Sequence, residues 1–365
     1  MNNNLRGTLS NENLVDAEHV KCTGCGANMV FNPERKALYC EHCGNVYEFA
    51  NGNTASENDL LAGFSADNNW SESEVNVFSC ENCGTKVVLN KSEVATVCPF
   101  CGTHHVKESS DLAGVKPHGL IPFDFSTEKA IELSKNWARK KFYAPRKFKK
   151  NLNSDNVKGV YTPCFTFDSH TVSYYEGRVG VRHTRVVGSG KNRRTETYIV
   201  WRRISGVYTY SFDDVLVTAG SKFNQQNLDK VAPFNTNNSA QYDQKYMLGF
   251  MAYHYDYDLT SCWGEAKNRI DGVIRNNILS GHRHDVVDYL NVSTNHERVT
   301  FKYVMLPVYV GAFNYKSKLY NFFINGSTGK VTGKTPKSFI KILLTVLFGV
   351  AMAGILCFLF YYLLN

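Results

Sequence analysis

Residues 22–44 read CTGCGANMVFNPERKALYCEHCG, and residues 80–102 repeat that skeleton as CENCGTKVVLNKSEVATVCPFCG. Each stretch holds two Cys-x2-Cys-Gly knuckles fourteen residues apart: Cys22, Cys25, Cys40 and Cys43, then Cys80, Cys83, Cys98 and Cys101. Two thiolates separated by two residues grip one metal ion only if the backbone turns tightly around it. The glycine after each pair tolerates positive φ and leaves amides free to face the sulfurs. Two knuckles supply four sulfurs, a closed tetrahedral set suited to zinc. The spacing therefore predicts two zinc ribbons in tandem and two structural Zn2+ ions. A structural role is expected because protein fills all four ligand positions. A ribbon of roughly 30 residues buries too little apolar surface to fold alone. Metal binding, worth roughly 10–16 kcal/mol in zinc-finger peptides, is expected to supply the folding energy. A disulfide framework would need an oxidising compartment, and the polar stretch Met1–Val20 carries no apolar signal segment.

The far end reads differently. Ile342–Leu364 is 23 residues without a charge, about 34 Å as a helix against a hydrocarbon core of roughly 30 Å. Fourteen of them are Leu, Ile, Val or Phe, favouring insertion by about 6 kcal/mol. A core helix would usually carry a polar stripe, and none is present. Tyr361 and Tyr362 suit an interfacial aromatic belt, and residues 339–364 are assigned as one transmembrane helix. Lys330, Lys334, Lys337 and Lys341 precede it and only Asn365 follows. The excess of positive charge predicts a tail-anchored, single-pass protein of the cell membrane with a cytoplasmic N-terminus. Gly349 and Ala353 form a small-residue pair through which a homo-oligomer would pack.

Composition divides the rest. Residues 1–18 are Asn-rich and read as disordered, 19–50 as zinc ribbon 1, and 51–74 as an acidic linker without Lys or Arg. The linker's Leu60, Leu61, Phe64 and Trp70 are expected to dock on the chain's own body. Zinc ribbon 2 covers 75–108, and 109–335 forms a cytosolic α+β domain rich in antiparallel strands. Within it Ser126 opens a helix carrying Ala130, Leu133, Trp137 and Ala138, and Pro145 ends that region. Strands are predicted at Val157–Asp168, Thr171–Val187, Thr195–Arg203, Val207–Val217, Val299–Phe313 and Lys318–Ile324, with a hairpin tip at Gly188–Asn192. Trp263, Ala266, Ile270 and Ile274 mark a second helix.

The net charge of +8 conceals an acidic front. Residues 1–74 carry four basic and eleven acidic side chains, so the excess of cations lies beyond them. Each ribbon is neutral, which argues against phosphate binding there. The cations gather at Arg139–Lys150 and Arg178–Arg203, where anionic lipid is the expected partner of a membrane-tethered chain and nucleic acid is disfavoured.

No catalytic constellation emerges, and a non-enzymatic protein is expected. Gly333-Lys334-Thr335 lacks the glycine a phosphate loop needs, since Thr328 stands there. Cys164 with His170 or His183 is a weak nucleophile candidate inside an apolar strand. His254, Asp256 and Asp258 would share a strand face as a metal site might, and His282 and His284 carry less weight.

The order of these features resembles the bacterial membrane-anchored, TFIIB-type double zinc-ribbon proteins of the YdjG type. Those are known from Firmicutes and often labelled as replication or helicase-like. The resemblance runs through Ile121-Pro122-Phe123, Trp137, Pro145, Gly159-Val160-Tyr161-Thr162-Pro163, Phe167-Asp168, Ser205-Gly206 and Asn325-Gly326-Ser327-Thr328-Gly329-Lys330. It implies a membrane anchor in an envelope-stress response, recruiting PspA-type or virion-core-like (SPFH-related) proteins. A helicase would require a nucleotide-binding motor, for which no phosphate loop is present. The expected function is a zinc-ribbon scaffold, the alternative a membrane-tethered nucleic-acid-binding regulator.

Overall fold

The computed structural model describes residues 20–48, 53–64, 75–90, 97–109, 115–150, 157–316 and 318–364. The Asn-rich segment 1–18 and Trp70 lie outside them.

In the first ribbon, strands β1 (Val30–Asn32), β2 (Ala37–Tyr39) and β3 (Val46–Glu48) form a small sheet of their own. The linker contributes β4 (Asn58–Asp59) and the single turn α1 (Leu60–Phe64). The second ribbon brings β5 (Val75–Cys80), β6 (Lys86–Asn90) and β7 (Val106–Ser109). The body then runs β8 (Gly119–Leu120), α2 (Thr127–Arg139), α3 (Arg146–Lys150), β9 (Val157–Val187), β10 (Arg194–Thr218), α4 (Gln225–Val231) and β11 (Ala240–Gln241). It closes with β12 (Met251–Tyr253), α5 (Leu259–Ser280), β13 (Val286–Tyr315), β14 (Lys318–Asn325), β15 (Val331–Gly333) and the apolar α6 (Phe339–Leu364).

Three long strands organise the body. β9 lies between β10 and β13, antiparallel to both, and the register holds from Val187↔Arg194 to Cys164↔Thr218 and from Gly180↔Val286 to Val157↔Gly311. The segments read as separate strands at 157–168 and 171–187 are one strand, because Ser169 is buried and pairs with Phe212 instead of breaking the ladder. Likewise 195–203 and 207–217 join into β10. β13 starts thirteen residues before Val299, the predicted strand start. Its early half is polar (Asp288, Asn291, Ser293, Asn295), which hides a strand whose pairing comes entirely from β9.

Helix α5 covers one face of this arm. Ile270, Ile274 and Ile278 recur at helical spacing and bury against Val179, Ile204 and Leu290. Asp258 caps the helix by accepting from Ser261 N at 2.8 Å. Nearer the ribbons the core is aromatic: Phe123 stacks on Phe250 with centroids 4.3 Å apart and meets Tyr161 and Tyr309 edge-on or tilted. Trp137 of α2 packs against Phe322 of β14, holding that helix on the sheet.

Asn325, the first residue of the Asn-Gly-Ser-Thr-Gly-Lys motif, is fully buried. Its Nδ2 donates to Val231 O (3.0 Å) and Pro233 O (2.9 Å), while its Oδ1 accepts from Ser327 N and Thr328 N. The motif is thus a turn that ties the end of α4 to β14.

Of the linker's predicted docking residues, Leu60 is buried, whereas Leu61 and Phe64 face outward. β4 adds to the edge of β13 through Asp59↔Thr300 and Asn58↔Phe301, so this part of the linker does dock on the body. α6 is different from a core helix: no part of its apolar window is buried.

Candidate metal centres

The four knuckles share one bonding pattern. Each glycine after a Cys-x2-Cys pair has a left-handed backbone, with φ of 72° at Gly26, 80° at Gly44, 72° at Gly84 and 70° at Gly102. Each donates its N–H to the carbonyl of the first cysteine of its pair: Cys22 (2.7 Å), Cys40 (2.9 Å), Cys80 (2.8 Å) and Cys98 (2.9 Å). A Cβ at any of them would meet no atom within 4 Å, so the backbone conformation, not crowding, requires glycine.

The turns bring the sulfurs together. Cys22 and Cys43 are 3.3 Å apart and Cys25 and Cys40 3.5 Å, while Cys80 and Cys101 are 3.6 Å apart and Cys83 and Cys98 3.7 Å. All four sulfurs of each set lie within 4.8 Å of one another. A tetrahedron with metal–sulfur bonds of about 2.3 Å has edges of about 3.8 Å, and a disulfide would require about 2.05 Å. Charge leads to the same reading. The hydrogen bond from Cys98 pulls the Cys83 thiol down to about 4, and that same contact pushes Cys98 up. Sulfurs this close cannot all be thiolates without a cation among them.

The profile of a zinc ribbon domain family, A2L_zn_ribbon, matches residues 18–49. The first cluster is therefore a zinc ribbon. Over 321 residues the chain is 27% identical to the uncharacterized protein YdjG of Bacillus subtilis (strain 168), covering 87% of this chain and 90% of that protein. The resemblance drawn from the motifs is borne out at that level. No solved structure matches. The chain thus carries two four-cysteine zinc-ribbon sites, consistent with two structural zinc ions.

The two ribbons are set differently. Ribbon 1 keeps its own sheet and rests on the body through Phe31, whose N–H donates to Leu248 O (3.0 Å) and whose ring meets Tyr246 and Phe250. Lys36 adds an ion pair to Asp124 at 2.9 Å. Its Cys25 and Cys43 are exposed. Ribbon 2 is continuous with the large sheet, because β6 pairs with β12 and β12 with β9. Lys222 Nζ donates to Cys83 O (2.7 Å), and Phe100 packs on Tyr253.

The other sequence candidates are dispersed. Cys164 is fully buried and burial pushes its thiol pKa up, with Cys262 nearby pushed up to about 12 by burial. His170 lies six residues along the same strand, about 20 Å away at strand rise, and shares a hydrogen bond with Ser211 instead. His183 stacks on Tyr198. β12 ends at Tyr253, so His254, Asp256 and Asp258 do not share a strand face; Asp256 accepts from Ser221 N and Asp258 caps α5. His282 contacts Tyr175 Oη and His284 turns back onto the His282 carbonyl.

One cluster is not legible in the sequence. Glu57, Asp168 and Asp214 bring carboxylate oxygens within 4.8 Å of one another. The ammonium of Lys302, 6% exposed, lies among them, 2.6 Å from Glu57 and 3.1 Å from Asp214. Asp214 sits at a bulge of β10 with φ of 50° and donates its N–H to Asp168 at 2.7 Å. Four residues so far apart in the chain, one at a positive φ, leave no pattern to read.

Proposed function

We propose that this protein is a non-enzymatic scaffold, anchored in the cell membrane by α6 with the remainder in the cytoplasm, which presents its zinc ribbons to partner proteins. The observation that carries this reading is a rigid path. Ribbon 2 is built into the large sheet, ribbon 1 is pinned to it at Phe31, and the sheet leads through α2 and α3 to the first turn of α6. Both metal sets are closed, which suits shape and not turnover. The exposed Cys25–Cys43 side of ribbon 1 is the surface offered to a partner. The YdjG-type resemblance extends the reading to envelope stress and to PspA-type or SPFH-like partners. Substituting Cys22 and Cys25 by Ser tests it: partners captured with the full-length protein should be lost while the protein remains in the membrane fraction. Unchanged capture would sink the role of ribbon 1.

A second reading is a membrane-tethered nucleic-acid-binding regulator. It is favoured by the open face of the β9–β10 arm, where Arg178 and Arg203 are register partners and Arg178 lies over Trp201 at 5.1 Å. Binding to that face should fall steeply with salt.

A further inference from the structure

The start of α6 is clamped to the body. Ser338 N donates to Tyr143 O at 2.8 Å. Lys341 Nζ donates to Phe142 O at 2.8 Å and to Ala144 O at 2.9 Å, and the same ammonium lies 5.6 Å from the Phe142 ring centroid. These contacts hold the turn between α2 and α3 level with the first turn of the apolar helix.

The helix length sets the depth. Its 26 residues span about 39 Å, whereas roughly 20 residues cross the hydrocarbon core. Lys341 belongs outside the hydrocarbon, so the first turn of α6 lies among head groups. The clamped turn lies there too. Phe142 is 65% exposed and Tyr143 39%, and an exposed aromatic pair at that depth has the placement of an interfacial anchor.

The surrounding charge is of one sign. Residues 139–150 hold seven cations and no carboxylate, and 334–341 hold three more. α3 buries Phe148 against Trp137 and Phe313, which turns Arg146, Lys147 and Lys150 outward. Among the described residues none of these three forms an ion pair. Lys149 is held below its usual range by burial and by the charge of Lys341, as expected for cations gathered without a counter-anion. Elsewhere on the molecule exposed arginines find carboxylates, as Arg185 and Arg194 do with Glu196.

We infer that the turn 140–145 and helix α3 form a seat for anionic phospholipid head groups, with Phe142 and Tyr143 inserted at the interface and Arg146, Lys147 and Lys150 contacting the lipid phosphates. The inference rests on α6 spanning the membrane and adds a lipid preference and a fixed orientation of the body. A chain that merely hung from its anchor would have neither.

The test uses the full-length protein in vesicles of one part phosphatidylglycerol to three parts phosphatidylcholine, re-extracted in mild detergent, with the retained lipid identified by mass spectrometry. The wild-type protein should retain phosphatidylglycerol enriched roughly fivefold over the bilayer ratio. The variant Arg146→Gln/Lys147→Gln/Lys150→Gln should fall to the bilayer ratio while keeping both zinc ions and its resistance to carbonate extraction. Phe142→Ser/Tyr143→Ser should reduce the enrichment without changing the charge. Retention at the bilayer ratio by the wild-type protein, or enrichment that survives the triple substitution, would overturn the seat. Co-purifying nucleic acid in place of phosphatidylglycerol would overturn it as well. Release of the wild-type protein by carbonate would overturn the membrane reading itself, an outcome separate from loss of lipid preference.

Discussion

Lys302 Nζ lies 2.6 Å from Glu57 Oε1, fastening the acidic segment between the ribbons to the longest antiparallel pair of the body. The same ammonium meets Asp214 at the bulge of β10, so one buried cation ties together the linker, β13 and the bend of the arm.

Replacing it by methionine keeps the volume but leaves Asp214 buried and unpaired, at a cost of about 3 kcal/mol near neutral pH. The pH dependence has a definite sign. Burial already raises the carboxyl pKa of Glu57 and Asp168, and without the ammonium both rise further. The folded variant then takes up protons at a pH where the unfolded chain does not, so its stability grows as pH falls. The deficit of Lys302→Met should therefore shrink between about pH 7.5 and about pH 5 in denaturant titrations. A deficit that widens on acidification would show that the ammonium is not what holds these carboxylates.

Much of this molecule is legible from its sequence, and the limits have physical causes. The knuckles are short-range objects: cysteine spacing and a following glycine carry the whole instruction, and the φ of 72° at Gly26 is what that glycine is for. The apolar run of α6 is equally local. Strand existence is legible in the Tyr- and Val-rich runs, but strand length is not. Ser169 and the polar start of β13 lie on strands paired across more than a hundred residues of chain. Nor can spacing say that ribbon 2 merges with the sheet through β12, a strand of three residues. The Lys302 cluster is the extreme case, assembled from four distant positions.

Because the two ribbons are set differently, losing either metal should have unequal effects. Cys22→Ser and Cys80→Ser should each halve the zinc content measured by dye displacement. Only Cys80→Ser should also loosen the body, since β5, β6 and β7 continue into β12 and β9, whereas β1–β3 form a separate sheet. Hydrogen exchange along residues 157–164 and 251–253 reads the difference. Equal protection in the two variants would mean that ribbon 2 is only attached to the sheet and does not support it.

At the knuckles the cost of a side chain is conformational alone. Gly44 has φ of 80° and open space where a Cβ would go. Gly44→Ala should cost about 1–2 kcal/mol and Gly44→Asn less, because asparagine visits this region more readily. Zinc affinity from chelator competition should follow the same order. A greater loss for Asn would point to a steric limit that the open space contradicts.

Asn325 offers a contrasting case, in which the side chain itself is indispensable. Its four hydrogen bonds satisfy two carbonyls after α4 and two amides of the following turn. Asn325→Ala should cost about 2–4 kcal/mol in thermal or denaturant unfolding, since the buried partners are left without water or protein. Asn325→Asp restores the acceptor but not the donor, and should recover only part of the loss. Full recovery by Asp would show that the bonds to Val231 and Pro233 contribute little.

The reading of α6 as a span can be tested by its own arithmetic. Its fourteen large apolar residues favour insertion by about 6 kcal/mol, and one arginine near the middle opposes it by about 3 kcal/mol. Val350→Arg should therefore still insert, with a margin of about 2–3 kcal/mol, whereas Val350→Arg/Leu356→Arg should sit near or past balance. Carbonate extraction of membranes separates the two, the single variant pelleting and the double variant released. A helix that instead packed against another soluble protein would lose its partner with the first arginine, because a buried unpaired charge is as damaging singly as doubly. A single variant that is already soluble would thus refute the span, and a graded response across one and two arginines is what a bilayer alone produces.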